Sequence, residues 1–394
     1  MHLSVRLPKV LPDKIPQPTH CPLKHGKKKC MGRRFKLHQV VCRKPLRDSK
    51  FSEVICHRYR CLKCHGSFRV YPQGVSNDHL SQRLQALSVL LYILGLSYRG
   101  VADLLESLEH PISKGTAFNN VQAAGARAQQ LRKARETELA GKVKVLGADI
   151  THVKCKGKDT LVAVATAMLS GEAIRFDILD AEATFRIEQW LKDLARMLGA
   201  EILVTDDADG LKTVADHLGL QHQICRAHVN RNVHDLVATL GTKALEHPDL
   251  VPWELPDLTL DQFLEDLDSI EWIIKSMPAN GQTQLQELAA RYQGAPPPSI
   301  GKRATMWYRM RRLTLDWSEN WARLALYQHW RSEQNEKLDG TNNVTEQVIG
   351  QCVKERYRTM RGYKCKSSIR NVSGLIGWVR GKGPAYDMTE LFNG

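Results

Sequence analysis

The sequence predicts a multidomain α/β protein: a mixed core interrupted by an all-helical insertion and preceded by small basic modules. Three observations carry this. Six of the ten cysteines fall before residue 65. From Val143 onward, strand-like apolar runs alternate with an amphipathic helix, and two of the runs end at carboxylates, Asp149 and Asp206. A helical stretch then separates these from Thr341-Asn-Asn-Val-Thr-Glu346, where a third carboxylate opens a basic segment.

The 394 residues are 42% hydrophobic, which suits two to four domains with substantial cores. No apolar run approaches the roughly 18–20 residues that span a bilayer. The start has no secretory pattern, so a soluble, cytoplasmic protein without a membrane partner is expected. The net charge is +15 and it is clustered. Residues 1–72 hold 18 Lys/Arg against three Asp/Glu, and residues 351–382 hold nine against one. Such one-sided ends favour a polyanionic partner, nucleic acid above all.

Residues 1–72 read as a zinc ribbon. Cys61-Leu-Lys-Cys64 has the spacing of a metal knuckle, and Gly66 lets the chain fold round it. Cys21 and Cys30 are the expected partner pair, with His25 as rival to Cys30; Lys36–Cys42 and Val54–Tyr59 are the intervening strands. The gap from Cys21 to Cys30 is long for a knuckle. A cysteine-rich start in a chain without an export signal fits one structural Zn²⁺ better than disulfides.

Residues 78–138 read as a helix-turn-helix. Ser97 caps a helix with Val101, Ala102 and Leu105 inward, and Ser113 caps a second through Thr116, Asn119 and Gln122. Lys114, Thr116, Asn119 and Asn120 would then face base edges or phosphates. An ordinary helical hairpin is the alternative. Residues 127–139 read as a charged helix leading into the core.

Residues 139–231 read as the first part of that core. Strands 143–153, 159–167 and 173–179 are joined by turns at Lys156-Gly157 and Ser170-Gly171. The helix 183–198 and a strand from Glu201 to Thr205 follow. The order β-β-β-α-β, with carboxylates on the first and fourth strands, is the plan of a ribonuclease-H-like domain. Hard cations such as Mg²⁺ take a few carboxylate oxygens and complete their shell with water and substrate phosphate. Residues 232–337 form the helical insertion, in which Trp272, Trp307, Trp317, Trp321 and Trp330 read as core aromatics. Residues 338–382 return to the core with Glu346 and a basic tail, and 383–394 are a terminal tail.

Four stretches together carry a resemblance: Gly-Ala-Asp149-Ile-Thr, Val-Thr-Asp206-Asp-Ala-Asp-Gly-Leu211, Cys225-Arg-Ala-His228, and Thr341-Asn-Asn-Val-Thr-Glu346 followed by Lys354, Arg356, Arg358 and Arg361. In that order they resemble the DDE transposases of bacterial insertion sequences. The likeness is greatest to those with a zinc ribbon, a helix-turn-helix and a helical insertion, a plan shared by Mutator-like transposases. The resemblance implies that Asp149, Asp206 and Glu346 are catalytic and hold two Mg²⁺ (or Mn²⁺) ions, with Asp207 and Asp209 open as alternatives to Asp206. It implies a supporting role for Cys225 and His228 beside the metals. Lys354, Arg356, Arg358 and Arg361 are expected on the DNA backbone. The implied partners are double-stranded DNA, as transposon ends and target, and a second copy of the chain at least. The implied setting is bacterial cytoplasm, on the nucleoid when bound to DNA. A zinc-containing DNA-binding regulator without catalysis is the alternative.

Overall fold

The computed structural model of the protein describes residues 4–26, 28–246, 255, 258–360, 362–381 and 385–392. The chain divides into two compact units: Met1–Arg135 with Val153–Asp159 and Gly350–Gly394, and Glu136–His152 with Thr160–Ile349.

The first unit begins with β1 (Ser4–Arg6) and a hairpin of β2 (Lys24–His25) and β3 (Lys28–Lys29). An antiparallel sheet of β4 (Phe35–Pro45), β5 (Glu53–Cys61) and β6 (Ser67–Val70) follows, in that spatial order. Among the described residues its apolar cluster is small: Val10, Leu46, Val54 and Val75, with Phe51 and Tyr71 packed against them. Three helices come next: α1 (Gln82–Ile93), α2 (Tyr98–Ser107) and α3 (Lys114–Glu138). Ser97 caps α2 through the Gly100 N–H at 3.0 Å, and Ser113 caps α3 through the Thr116 N–H at 3.0 Å. The second helix does not stop near Gln122. It runs on through the charged stretch as one 25-residue element.

The second unit is built on a five-stranded mixed sheet. Its strands are β7 (Val145–Cys155), β8 (Lys158–Ala167), β9 (Glu172–Leu179), β10 (Ile202–Thr205) and β11 (Gln221–Ile224). The spatial order is β9-β8-β7-β10-β11. β8 and β9 are antiparallel, while β10 runs parallel to both β7 and β11. Three meandering strands followed by two parallel ones is the sheet order of the ribonuclease-H-like plan. Between them stand α4 (Thr184–Leu198) and α5 (Asp209–Leu218), which lay Leu191, Leu194, Leu198, Val214 and Ala215 onto one face. α4 and α5 both end at left-handed glycines, Gly199 and Gly219.

The insertion consists of α6 (Arg226–Glu246), α7 (Leu260–Ser276), α8 (Gly281–Arg291), α9 (Met306–Glu319) and α10 (Trp321–His329). Its core holds Phe263, Tyr292, Trp307, Trp317 and Trp321. Trp330 is partly buried against the sheet. Trp272 departs from the expected core role: it is 55% exposed on α7. The chain then returns through α11 (Asn343–Ile349) and a π-helical turn, Gly350–Lys354.

The remaining elements belong to the first unit: α12 (Glu355–Arg358), α13 (Lys366–Arg380), β12 (Ala385–Asp387), which pairs in parallel with β1, and α14 (Thr389–Phe392). No helix among the described residues is long and apolar enough to cross a membrane.

Candidate active site and metal centres

Strand register brings Asp149 and Asp206 level. β10 lies parallel to β7 with Val204 opposite Gly147. Two residues further along each chain stand Asp206 and Asp149. Side chains two apart share a face, so both carboxylates leave the sheet on the side of Val145 and Val204. Those two valines pack with Met168 and Leu338. Leu146, Ala148 and Leu203 point the other way, under α4 and α5.

α11 is seated on the carboxylate face. A β-carbon on Gly147 would run into Thr345 Oγ1, Met168 Sδ and Thr166 Oγ1. The hydroxyls of Thr166 and Thr345 lie 2.7 Å apart, and Asn342 Nδ2 donates to the Ala148 carbonyl at 3.2 Å. Glu346 follows Thr345 directly, and its Oε1 lies 3.4 Å from His228 Nδ1. Gly147→Ala is therefore expected to destabilise the protein by roughly 1–3 kcal/mol through overpacking and to displace Glu346. A lowered melting temperature checks this; an unchanged one would mean that α11 is loosely held.

The three carboxylates share one electrostatic environment. Burial pushes the Asp149 carboxyl up to about 6, and the charges of Asp206 and Glu346 add to the rise, against a bond from the Ile150 N–H at 2.7 Å. Excess negative charge of this kind is what divalent cations relieve. The oxygens of the three do not close to within 4.8 Å of one another among the described residues.

Asp206 and Asp207 differ in what they touch. Asp207 is held by Lys212 Nζ at 2.8 Å, and burial raises its carboxyl while Lys212 opposes that. The Asp206 carboxylate accepts a 3.3 Å bond from the Ala208 N–H, at the start of α5, and no ion pair holds it among the described residues. Lys212 is 8% exposed and pairs with both Asp207 and, at 3.1 Å, the exposed Asp209, and of the two Asp207 is the more buried. Asp207→Asn is expected to lower stability by about 1–3 kcal/mol and to leave divalent-metal binding intact. Calorimetry on that variant would tell the two aspartates apart.

A second cluster lies in the first unit. The sulfurs of Cys21, Cys30, Cys61 and Cys64 all fall within 4.8 Å of one another. Cys21 and Cys64 are 3.8 Å apart, and Cys30 and Cys61 are 3.9 Å apart. A tetrahedral Zn²⁺ with Zn–S bonds of about 2.3 Å spaces its sulfurs by about 3.8 Å, so the cluster fits one such ion. The long gap between Cys21 and Cys30 is taken up by the β2–β3 hairpin. Gly32 and Gly66 have no room for a side chain: β-carbons there would strike Cys61 Sγ and Leu23 Cδ1. The Cys64 N–H leads the influences that hold the Cys61 thiol down to about 7, while burial pushes Cys21 up to about 12. The side chain of His25, the rival ligand, lies outside the described residues.

Residues 79–291 match the model of the family described as "Transposase IS66 family", more than half of the chain. The chain belongs to the IS66 transposase family. The matched span includes Asp149, Asp206, Cys225 and His228, and Glu346 lies beyond it. No curated protein sequence matches this IS66-family chain. Among solved structures it is similar to the HTLV-2 integrase catalytic core domain in complex with magnesium, at 18% identity and a TM-score of 0.19, over 33% of this chain and 85% of that one. It is similar to the BIV integrase catalytic core domain, at 12% identity and 0.18, over 50% and 90%. It is also similar to the Mos1 transposase catalytic domain with Raltegravir and Mn, at 16% identity and 0.17, over 25% and 57%.

The residues of this IS66-family chain expected to meet DNA are placed unevenly. Lys114 and Asn119 are exposed on α3, and Thr116 is half-buried with its hydroxyl 2.9 Å from that of Ser113. Asn120 is turned inward and donates to Ser88 Oγ at 2.9 Å. Arg358 is exposed and Lys354 half-buried. Arg361 lies outside the described residues. Arg356 corrects its expectation. It is 5% exposed, and its guanidinium donates to the carbonyls of Gly95 and Leu96, both at 2.7 Å, while it lies 4.0 Å over the Tyr92 ring. A guanidinium so engaged closes the end of α1 and is not free for phosphate.

Sequence reasoning missed Asn342, Thr166, Gly147 and Gly340. Gly340 has φ +75°, and a β-carbon there would strike Tyr327 and Arg226. Its carbonyl accepts the Arg226 N–H at 2.9 Å, which ties the start of α6 to the approach of α11. A glycine one residue before Thr341 was the available signal.

Proposed function

We propose that this chain is a DNA transposase that binds the terminal inverted repeats of its element and catalyses metal-dependent DNA cleavage and strand transfer. One observation carries the proposal: Asp149 and Asp206 stand level on adjacent parallel strands, and the helix of Glu346 is seated on the same face. Asp149, Asp206 and Glu346 would hold two Mg²⁺ (or Mn²⁺) ions. Such a pair, when bound, activates the attacking oxygen and stabilises the leaving one.

The chain's own contribution is position and charge. Asp149 would be the central ligand, with the charges of Asp206 and Glu346 both acting on it. Gly147, Thr166 and Asn342 fix the helix that aims Glu346, and Lys212 keeps Asp207 out of the site. In cleavage, a water oxygen attacks phosphorus at the element's end and the bond to the 3′-oxygen breaks, leaving a 3′-OH. In transfer, that 3′-OH attacks a target phosphate and displaces the target's own 3′-oxygen. Neither step needs a protein nucleophile; orientation and charge neutralisation carry them.

Within the same proposal, residues 1–72 form a zinc ribbon on Cys21, Cys30, Cys61 and Cys64. Residues 78–138 present Lys114, Thr116 and Asn119 to the ends, and Lys354 and Arg358 meet the backbone. Joining two ends requires at least two copies on DNA, in the cytoplasm of a bacterium. The purified chain, given Mg²⁺ or Mn²⁺ and a duplex carrying the element's ends, is expected to nick at the end and join it to a target. Tight, end-specific binding with no cleavage in any divalent metal would favour the alternative, a zinc-containing DNA-binding regulator.

A further inference from the structure

We propose that Cys225 Sγ, His228 Nδ1 and Glu346 Oε1 form a site for one thiophilic divalent cation, Zn²⁺ by chemistry, with one coordination position left open. It rests on the proposed function only in sharing Glu346.

One ligand atom from each of the three residues lies within 4.8 Å of the other two, and His228 Nδ1 and Glu346 Oε1 are 3.4 Å apart. Two features set them apart from an ordinary His–Glu contact. First, His228 Nδ1 and Glu346 Oε1 are both shielded from solvent, and neither has a hydrogen-bond partner among the described residues. They lie 3.4 Å apart without making a well-formed hydrogen bond to each other. Buried polar atoms are normally satisfied, and a cation between them would satisfy both.

Second, the backbone round Cys225 is folded as a metal knuckle. Its sulfur accepts the N–H groups of Ala227 and His228, two and three residues on, and that of Asn342 at 3.2 Å. Cys61 accepts the N–H groups of Lys63 and Cys64, also two and three residues on. The same local turn therefore recurs in Cys61-x-x-Cys64 and in Cys225-x-x-His228. Burial raises the Cys225 thiol, and these donors oppose that rise, as they would stabilise a metal-bound thiolate.

From sequence alone, two ligands make a poor zinc site. The fold supplies the third. The Cys225 N–H donates to the Thr205 carbonyl at 2.7 Å, at the end of the Asp206 strand, and the neighbouring Arg226 N–H is held by Gly340 just before α11. The knuckle is thus clamped between the two segments that carry Asp206 and Glu346. A thiolate and an imidazole select a soft or borderline ion over Mg²⁺. Three protein ligands with a free position describe an open tetrahedral Zn²⁺ site. Glu346 would offer Oε1 to this ion and keep Oε2 for the hard-cation pair.

The test is metal content of the full chain, equilibrated with zinc and then freed of excess, measured by mass spectrometry. The parent is expected to retain one more ion per chain than Cys225→Ser or His228→Asn, while Asp207→Asn, which lies outside both proposed sites, matches the parent. With Co²⁺ replacing Zn²⁺, a thiolate-to-cobalt absorption contributed by Cys225 should disappear in Cys225→Ser, and Glu346→Gln, which preserves shape, should weaken retention. Equal metal content and equal cobalt spectra in the parent, Cys225→Ser and His228→Asn would overturn the site. A chain that retains this ion yet cleaves no DNA would sink the enzymatic proposal alone. A chain that cleaves DNA and shows no Cys225-dependent ion would sink only this one.

Discussion

Asp149→Asn is expected to reduce metal-dependent DNA cleavage by roughly 10³-fold or more, while making the metal-free protein more stable. The first effect follows from losing the proposed central ligand, since a bound metal contributes several kcal/mol of charge stabilisation and each 1.36 kcal/mol is about tenfold in rate. The second follows from the carboxyl's position. Its value in the folded protein, about 6, lies above the roughly 3.9 of an unfolded chain. The folded state therefore holds the proton more tightly. The stability this confers is present below about pH 4 and is lost as pH climbs through about 6. At neutral pH the ionised Asp149, facing Asp206 and Glu346, opposes the metal-free fold by an amount on the order of 2–3 kcal/mol. The amide removes that opposition. Melting curves of parent and variant from pH 4 to pH 8, with and without Mg²⁺, should diverge above pH 5 without metal and converge or cross once metal stabilises the parent. A variant that cleaves at the parent rate, or that melts lower at pH 7 without metal, would show that Asp149 is an ordinary buried carboxylate.

How far this site was legible in the sequence depends on the range of the interactions that build it. Four of the five core strands were readable from their apolar content, and the turns at Lys156-Gly157 and Ser170-Gly171 carry positive φ, +52°, +79° and, at Gly171, +73°. The fifth, β11, Gln-His-Gln-Ile, has a single apolar residue and went unread, because its burial comes from the neighbouring strand and helices rather than from its own pattern. Asp149 and Asp206 were legible for the same reason: a carboxylate that ends an apolar run is locally out of place. The seating of Glu346 was not, because it depends on Gly147 and Thr166 meeting Thr345 across nearly two hundred residues of chain. Arg356 failed for a related reason. In a run of Lys and Arg it looked like a phosphate contact, yet the carbonyls that take it, Gly95 and Leu96, lie some 260 positions earlier. Trp272 looked like its neighbours in composition, and only the packing of the insertion leaves it outside. Cys225 and His228 were visible as a pair, and their third companion became visible only in three dimensions.

Cys61→Ser is expected to unfold the segment around β4, β5 and β6 and to abolish end-specific DNA binding, while the five-stranded core keeps its own melting transition. Among the described residues, the apolar cluster of that segment is small: Val10, Leu46, Val54 and Val75, with Phe51 and Tyr71 partly buried against it. Met31, Leu37, Val40, Ile55 and Leu62, on or beside the same sheet, are exposed. A sheet so thinly backed cannot offset the entropy of ordering its chain. A structural zinc site can, with an apparent contribution of roughly 10–16 kcal/mol at pH 7. Substitution is a cleaner probe here than a chelator, which would also strip any ion held by Cys225. Hydrogen exchange read by mass spectrometry should show protection lost in residues 20–70 and retained in β7, β8 and β10. Zinc affinity should also fall as pH falls, because thiols as reluctant to ionise as Cys21, pushed up to about 12, must give up protons to bind the ion. If the segment stays protected in Cys61→Ser, the four sulfurs are a core cluster without a metal, and recognition of the ends would have to rest on α2 and α3.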